Sequence, residues 1–313
     1  MPSLSSQPSY TRLLPSGVIG RIGKLEFLAR GAMEGFISGK HRSPHKGASV
    51  EFAEHREYVP GDEIRNMDWR VYGRSDRYYI KEYIEETNLR ATLLLDASGS
   101  MKYTGEAAAP MEGKPLSKFE YGRYLAAALS YLFISQQDGV GLVTFDSEIR
   151  KYLPAKAMRS QVRLILEELE KTEPGAETGL IEVFHEIAER IHRRGMVIII
   201  SDLFDDAEQI LKTLHHFSFK HHEVILFHVM AEEEFTFPFS DSIDFRDLEP
   251  TDQTLRIDPR TIRADYLDRI NNFINEIERG CGRLKVDYVP MSTRIPFDTA
   301  LVNYLSHRKS LAN

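Results

Sequence analysis

The stretch Leu89-Arg90-Ala91-Thr92-Leu93-Leu94-Leu95-Asp96-Ala97-Ser98-Gly99-Ser100 decides the fold. Its apolar run, Leu93–Leu95, is short and unbroken, and it stops abruptly at a carboxylate and a small polar loop. A strand buried on both faces, in a parallel sheet covered by helices, reads as continuous hydrophobicity rather than alternation. Met196-Val197-Ile198-Ile199-Ile200 repeats the pattern and is followed by Ser201-Asp202. Similar runs occur at Val140–Phe145 and Val224–Val229, with a weaker one at Leu284–Val289.

Helical periodicity fills the gaps between these runs. Ser117 to Gln136 opens with Ser117 and Glu120 in capping-box spacing and continues with Phe119, Leu125, Leu129, Leu132 and Phe133 on one face. Leu180, Val183, Phe184, Ile187 and Ile191 form a second stripe, running out at Arg193-Arg194-Gly195. Residues 206–217 and 261–279 are further helix candidates, with Gly280-Cys281-Gly282 as the turn that follows. Strands alternating with helices predict a doubly wound, mainly parallel α/β sheet flanked by helices.

The front of the chain has another texture. Residues 1–20 are Ser- and Pro-rich at the start and read as a disordered tail. Residues 21–39 carry Leu25, Leu28, Met33 and Phe36 near helical spacing, and the basic loop 40–46 follows. From Gly47 to Thr87 the pattern is short, aromatic-rich and strand-like, broken by Pro60-Gly61-Asp62 and Gly73. The expected organisation is therefore a helix and small β-rich segment over 21–88, then an α/β domain over 89–313 with an acidic excursion near 231–258. The 313 residues are ample for such a core.

Composition narrows the function classes. The net charge of −7 gives no general attraction to nucleic acid or anionic lipid, and the single cysteine, Cys281, allows no internal disulfide. No stretch approaches the roughly 20 apolar residues that span a bilayer, and the start lacks a basic cluster feeding an apolar run. The expectation is a cytoplasmic protein.

In open α/β sheets, ligands bind beyond the carboxyl ends of the strands. The polar residues that fall there are Asp96, Ser98 and Ser100 after the first run and Asp202 after the run ending at Ile200, while Thr178 opens the helix before that strand. Two carboxylates and three hydroxyls are hard oxygen donors, suited to Mg²⁺ or another divalent cation such as Mn²⁺ or Ca²⁺. Alternation in Asp96-x-Ser98-x-Ser100 can turn all three side chains to one point, and no Cys or His accompanies them as zinc would require. Any one of these residues alone has a plain structural reading, Thr178 as a helix cap for instance. Asp202 is harder to explain that way, because Asp205 and Asp206 already offer caps to the next helix.

This five-residue pattern resembles the metal-ion-dependent adhesion site (MIDAS) of von Willebrand factor type A domains. The resemblance implies Ser98, Ser100 and Thr178 as direct ligands, Asp96 and Asp202 acting through water, and a partner protein's Asp or Glu completing the shell. The front segment adds Ser38-Gly39-Lys40-His41-Arg42-Ser43, Glu51-Phe52-Ala53-Glu54, Arg56-x-Tyr58-x-Pro60-Gly61-Asp62 and Asp68-Trp69-Arg70. With these, nearly the whole chain is similar to the bacterial family called "domain of unknown function fifty-eight". That resemblance implies a non-enzymatic interaction module working with a MoxR-type AAA+ ATPase in chaperone-like maturation or assembly of other proteins.

Two other function classes compete with this expectation. A metal-dependent hydrolase or phosphatase could use the same Asp-rich site, although Ser98 stands where such enzymes place a second Asp to act as acid or base. Nucleic-acid binding through the basic loop 40–46 ranks third, given the acidic balance. A phosphate loop of the form G-x-x-x-x-G-K-[ST] is absent, so any ATP hydrolysis would fall to the partner. Trp69 with Tyr58, Tyr72, Tyr78 and Tyr79 is expected to form the core of the small β unit. His215, His216, His221 and His222 are expected to flank a helix-to-strand turn, and the acidic run from Glu232 to Asp252 to be exposed.

Overall fold

The computed structural model describes residues 13–14, 50–59, 67–85, 89–111, 113–175, 179–240, 243–246 and 254–312. Residues 21–39, the basic loop 40–46, Pro60-Gly61-Asp62 and Thr178 lie outside them. The chain divides into two compact units, Phe36–Asn88 and Met1–Gly35 together with Leu89–Asn313.

The smaller unit pairs β1 (Val50–Glu57) antiparallel with β2 (Tyr79–Glu85), with an irregularity between Phe52 and Glu54. Between them lies α1 (Trp69–Ser75), whose N-cap Asp68 accepts hydrogen bonds from the backbone N–H groups of Arg70 and Val71. The aromatic residues are not a core. Trp69 is 58% exposed and Tyr78 47%, and the rings of Tyr72 and Tyr78 stack on one another at 4.6 Å near the surface. Among the described residues of this unit, a seven-residue helix and a two-stranded ribbon form no second layer to receive them, whereas residue type alone suggests burial.

The larger unit is built on a six-stranded sheet. It uses β3 (Arg90–Asp96), then the short hairpin β4 (Pro110–Met111) and β5 (Lys114–Pro115), which stands apart, then α2 (Lys118–Ser135) and β6 (Gly139–Phe145). There follow β7 (Ile149–Lys156), α3 (Arg159–Lys171), α4 (Leu180–Arg190), β8 (Met196–Ser201), α5 (Ala207–Phe219) and β9 (Glu223–Met230). The chain ends with α6 (Glu232–Thr236), the hairpin β10 (Ile243–Arg246) and β11 (Thr254–Ile257), α7 (Pro259–Leu284), β12 (Asp287–Ser292) and α8 (Phe297–Ala312). The sheet order is β12-β9-β8-β3-β6-β7, parallel throughout except for β7, which runs antiparallel to β6. This is the mixed α/β sheet, mainly parallel and flanked by helices, that the apolar runs predict.

Side-chain alternation sends each strand's residues to two helical layers. Leu94, Val143 and Ile199 share one face with Phe184 and Ile187 of α4, Leu214 and Phe217 of α5 and Cys281 of α7. Leu95 and Ile200 point to the opposite face, where α2 comes so close that a Cβ on Gly122 would sit 3.0 Å from both side chains. Larger residues at position 122 would push the helix off the sheet. Both edge strands carry a proline, Pro154 in β7 and Pro290 in β12, which removes a donor where an unpaired edge would otherwise invite another chain.

Several boundaries depart from the sequence reading. Gly280-Cys281-Gly282 lies within α7, which runs to Leu284 before Lys285 turns it in the left-handed region at φ 58°. Cys281 is buried there and its thiol is pushed up to about 12 by burial. Helix α4 stops at Arg190, ahead of Arg193-Arg194-Gly195. His215 and His216 lie in α5 and His221 and His222 in the turn after it, as expected. Leu13 and Leu14, the described residues of the first twenty, are buried. The glutamates at 232–234 are not an exposed run, because each is engaged inside the unit.

Candidate functional site

Asp96 is the last residue of β3 and Ser201 the last of β8, while Asp146 follows β6 directly. The three strands are neighbours in the sheet, so their carboxyl ends converge on one rim. Asp96 is fully buried, and both carboxylate oxygens are engaged. Oδ1 accepts from the Ser98 N–H at 2.9 Å and Oδ2 from the Ser201 hydroxyl at 2.6 Å. Ser201 accepts in turn from the Leu203 N–H, which ties the loop after β8 to the end of β3. Burial first, then repulsion from Asp202, pushes the Asp96 carboxyl up to about 7 against the opposing hydrogen bonds of Ser201 and Ser98.

Ser98 precedes a 3₁₀ turn, Gly99–Lys102, and its hydroxyl makes no capping bond to that turn. It lies 3.1 Å from the hydroxyl of Ser100, and both residues are buried. The backbone beneath is pinned on two sides. The Ala97 N–H donates to Phe145 and the Ala97 carbonyl accepts from the Gly175 N–H at 2.6 Å. Gly175 has no room for a side chain, since a Cβ would meet the Arg150 guanidinium and the Asp146 carboxylate, which are themselves paired. Arg150 also donates to the Glu173 carbonyl, clamping the segment that leads towards Thr178. On the far side of Thr178, a Cβ on Gly179 would lie 3.0 Å from Ser147. Thr178 itself falls outside the described residues, and the N-cap of α4 is Gly179.

Asp202 is buried and its two oxygens differ. Oδ2 pairs with the Lys118 ammonium at 2.7 Å, while Oδ1 is buried with no hydrogen-bond partner. The Asp202 carbonyl receives a hydrogen bond from His228 Nε2 at 3.0 Å, which requires that nitrogen to carry the hydrogen, so Nδ1 accepts from the Tyr288 hydroxyl at 2.8 Å. Burial pushes His228 down to about 4, outweighing the pull of Asp202, so the ring is neutral.

The structure thus gathers Asp96, Ser98, Ser100 and Asp202 at the carboxyl end of the sheet. Sequence reasoning passed over Lys118, Asp146, Arg150 and Glu234 and gave Ser201 no role. For Asp146 a signal existed, since it follows an apolar run as Asp96 and Asp202 do. For Lys118 there was none, because an N-terminal helix lysine is ordinarily a solvated one.

Among the described residues no three His, Cys, Asp or Glu side chains gather as a ligand set. The donors here are hydroxyls assisted by two aspartates. In an octahedron with bonds of about 2.1 Å, neighbouring oxygens lie about 3.0 Å apart. The Ser98 and Ser100 hydroxyls stand at that spacing, and Asp202 Oδ1 is an orphaned acceptor that a cation's water would satisfy. The residues present fit a hard dication.

The family model described as "Protein of unknown function DUF58" matches residues 54–272, more than two thirds of the chain. The chain belongs to the DUF58 family. Uncharacterized proteins of Mycobacterium bovis and Mycobacterium tuberculosis are 25% identical to it over 266 residues, covering 82% of this chain and 80% of theirs. Among solved structures, this DUF58 chain is similar to the conserved hypothetical protein BatB from Bacteroides thetaiotaomicron, at 17% identity and a TM-score of 0.46 over 71% of this chain and 99% of that one. It is also similar to an aerotolerance-related membrane protein from Bacteroides fragilis, at 16% identity and a TM-score of 0.47 with the same coverage.

Proposed function

We propose that this chain is a non-enzymatic protein-interaction module of the von Willebrand factor type A kind, dependent on Mg²⁺ at a MIDAS-like site. Ser98 and Ser100 would hold the metal directly with Thr178, and Asp96 and Asp202 would act through water. The observation that carries the reading is the pair of buried hydroxyls 3.1 Å apart, with the unpartnered Asp202 Oδ1 on the same rim. Asp96 orients this loop, holding the Ser98 backbone on one oxygen and Ser201 on the other. The bound ion supplies Lewis acidity towards an Asp or Glu brought by a partner protein, because hydroxyl ligands add no charge to neutralise it. Together with membership of DUF58, this favours a MoxR-type AAA+ ATPase as partner and a chaperone-like role in the maturation or assembly of other proteins.

The phosphatase alternative is less well served. Such an enzyme needs an acid or base beside Asp96, yet Ser98 fills the position two residues on and His228 is spent on a carbonyl and a tyrosine. The basic loop of the nucleic-acid alternative lies outside the described residues.

The test is binding of the purified chain to the MoxR-type ATPase of its own organism, with Mg²⁺ or with a chelator. Binding is expected to require the metal and to fall at least about tenfold in Asp96→Ala and Ser98→Ala, with the circular dichroism spectrum unchanged. Equal binding in chelator sinks the proposal.

A further inference from the structure

Lys118 is the first residue of α2, a position where a lysine side chain ordinarily extends into water. Here it is 2% exposed. Its ammonium donates to Asp202 Oδ2 at 2.7 Å and to Glu234 Oε1 at 2.8 Å, and it lies 5.9 Å from the centre of the Tyr103 ring. Two carboxylates at hydrogen-bond distance compensate the burial of the ammonium. The partner Glu234 is itself fixed, since its other oxygen accepts from the Ala231 N–H. Next to it, Glu233 Oε1 accepts from the Ala107 N–H, and Glu232 binds Ser292 and Arg294. Three consecutive glutamates thus draw three different segments to the rim, and Glu234 delivers its charge to Lys118.

We propose that Lys118 is a resident counter-cation of this rim, which occupies one oxygen of Asp202 and thereby sets how strongly the neighbouring site holds a divalent ion. This inference rests on the metal-binding reading above. With Oδ2 committed to the ammonium, Asp202 offers a single oxygen, Oδ1, and its charge is shared between two cations. A dication entering the rim also meets the repulsion of a positive charge one carboxylate away, in surroundings from which water is largely excluded. Lys118 therefore weakens the resting affinity and leaves the bound ion short of negative charge. Such an ion takes an external carboxylate more readily than one served by a freely bidentate aspartate. Lys118 is a positioning residue, acting through Asp202 and Glu234 rather than on any ligand directly.

The test is calorimetric titration of the full chain with MgCl₂, alongside the thermal midpoint with and without the metal. In Lys118→Met the affinity for Mg²⁺ is expected to rise at least about tenfold. Its metal-free midpoint is expected to fall below wild type and to be raised further by Mg²⁺ than wild type is. In Glu234→Gln, whose single amide oxygen can keep only one of the two hydrogen bonds the carboxylate accepts and which removes the charge competing for the ammonium, affinity is expected to drop several-fold. If Lys118→Met fails to fold, the Glu234→Gln result decides alone. Should wild type bind Mg²⁺ and Lys118→Met bind it equally or more weakly, or Glu234→Gln bind it equally or more tightly, the counter-cation role is overturned and the metal reading stands. Should none of the three proteins bind Mg²⁺, both fall.

Discussion

Asp138, in the turn that leads into β6, is buried and pushed up to about 6 by burial, which outweighs the hydrogen bond its Oδ1 accepts from the Leu89 N–H at 3.0 Å. A carboxyl whose folded value lies above its unfolded one binds protons more readily in the folded state. Its contribution is therefore favourable at low pH and is lost as pH rises from about 4 through about 6, by at most about 3 kcal/mol. Asp138→Asn keeps the acceptor and removes the charge. It is expected to raise the urea midpoint at pH 8 by the equivalent of about 1–2 kcal/mol and to leave it unchanged near pH 4, where Asp138 is largely protonated. An unchanged midpoint at pH 8 would contradict the burial argument. The site residues carry the same lesson about what a sequence shows. Asp96, Ser98, Ser100 and Asp202 could be picked out because each follows an apolar run. Lys118 could not, because nothing local distinguishes a lysine that water solvates from one that two carboxylates bury.

Helix α2 links the sheet to the rim, so its N-terminus matters beyond its own stability. Ser117 accepts from the Glu120 N–H at 3.1 Å while Glu120 accepts from the Ser117 N–H at 3.0 Å, the reciprocal capping box expected from the spacing of the two residues. Ser117→Ala is expected to cost about 1 kcal/mol by denaturant titration and, because Lys118 follows directly, to alter Mg²⁺ affinity as well. Ser130→Ala, which removes only a bond to the Ala126 carbonyl further along the same helix, is expected to leave that affinity unchanged. The ends of α4 and α7 were harder to place in advance. Gly280 and Gly282 resemble a helix stop by propensity, yet Gly280 packs where a Cβ would meet Leu211, so tertiary packing keeps the helix running. The antiparallel edge strand β7 carries partly exposed residues and a proline, and the continuous apolar signal of the inner strands is absent from it.

Among the described residues, no helix is long and apolar enough to cross a membrane. If the rim binds a dication, the folded state is stabilised by mass action, by about 2.7 kcal/mol once free Mg²⁺ exceeds its dissociation constant a hundredfold. The thermal midpoint is expected to rise by several degrees in Mg²⁺, to fall back in chelator, and to be insensitive to both in a Ser98→Ala, Ser100→Ala double variant. A midpoint indifferent to Mg²⁺ in wild type would argue against a metal site.

Local chemistry was enough to establish the layered α/β architecture. Runs such as Met196–Ile200 are too apolar to face water on either side, and the helices between them carry their own start signals. The order of strands at the sheet's edges, the surface exposure of Trp69 and the burial of Lys118 between Asp202 and Glu234 arose only in three dimensions. Lys118 depends on partners 84 or more residues away and Trp69 on what the rest of its unit packs against it, and no pattern of neighbouring residues encodes such placements.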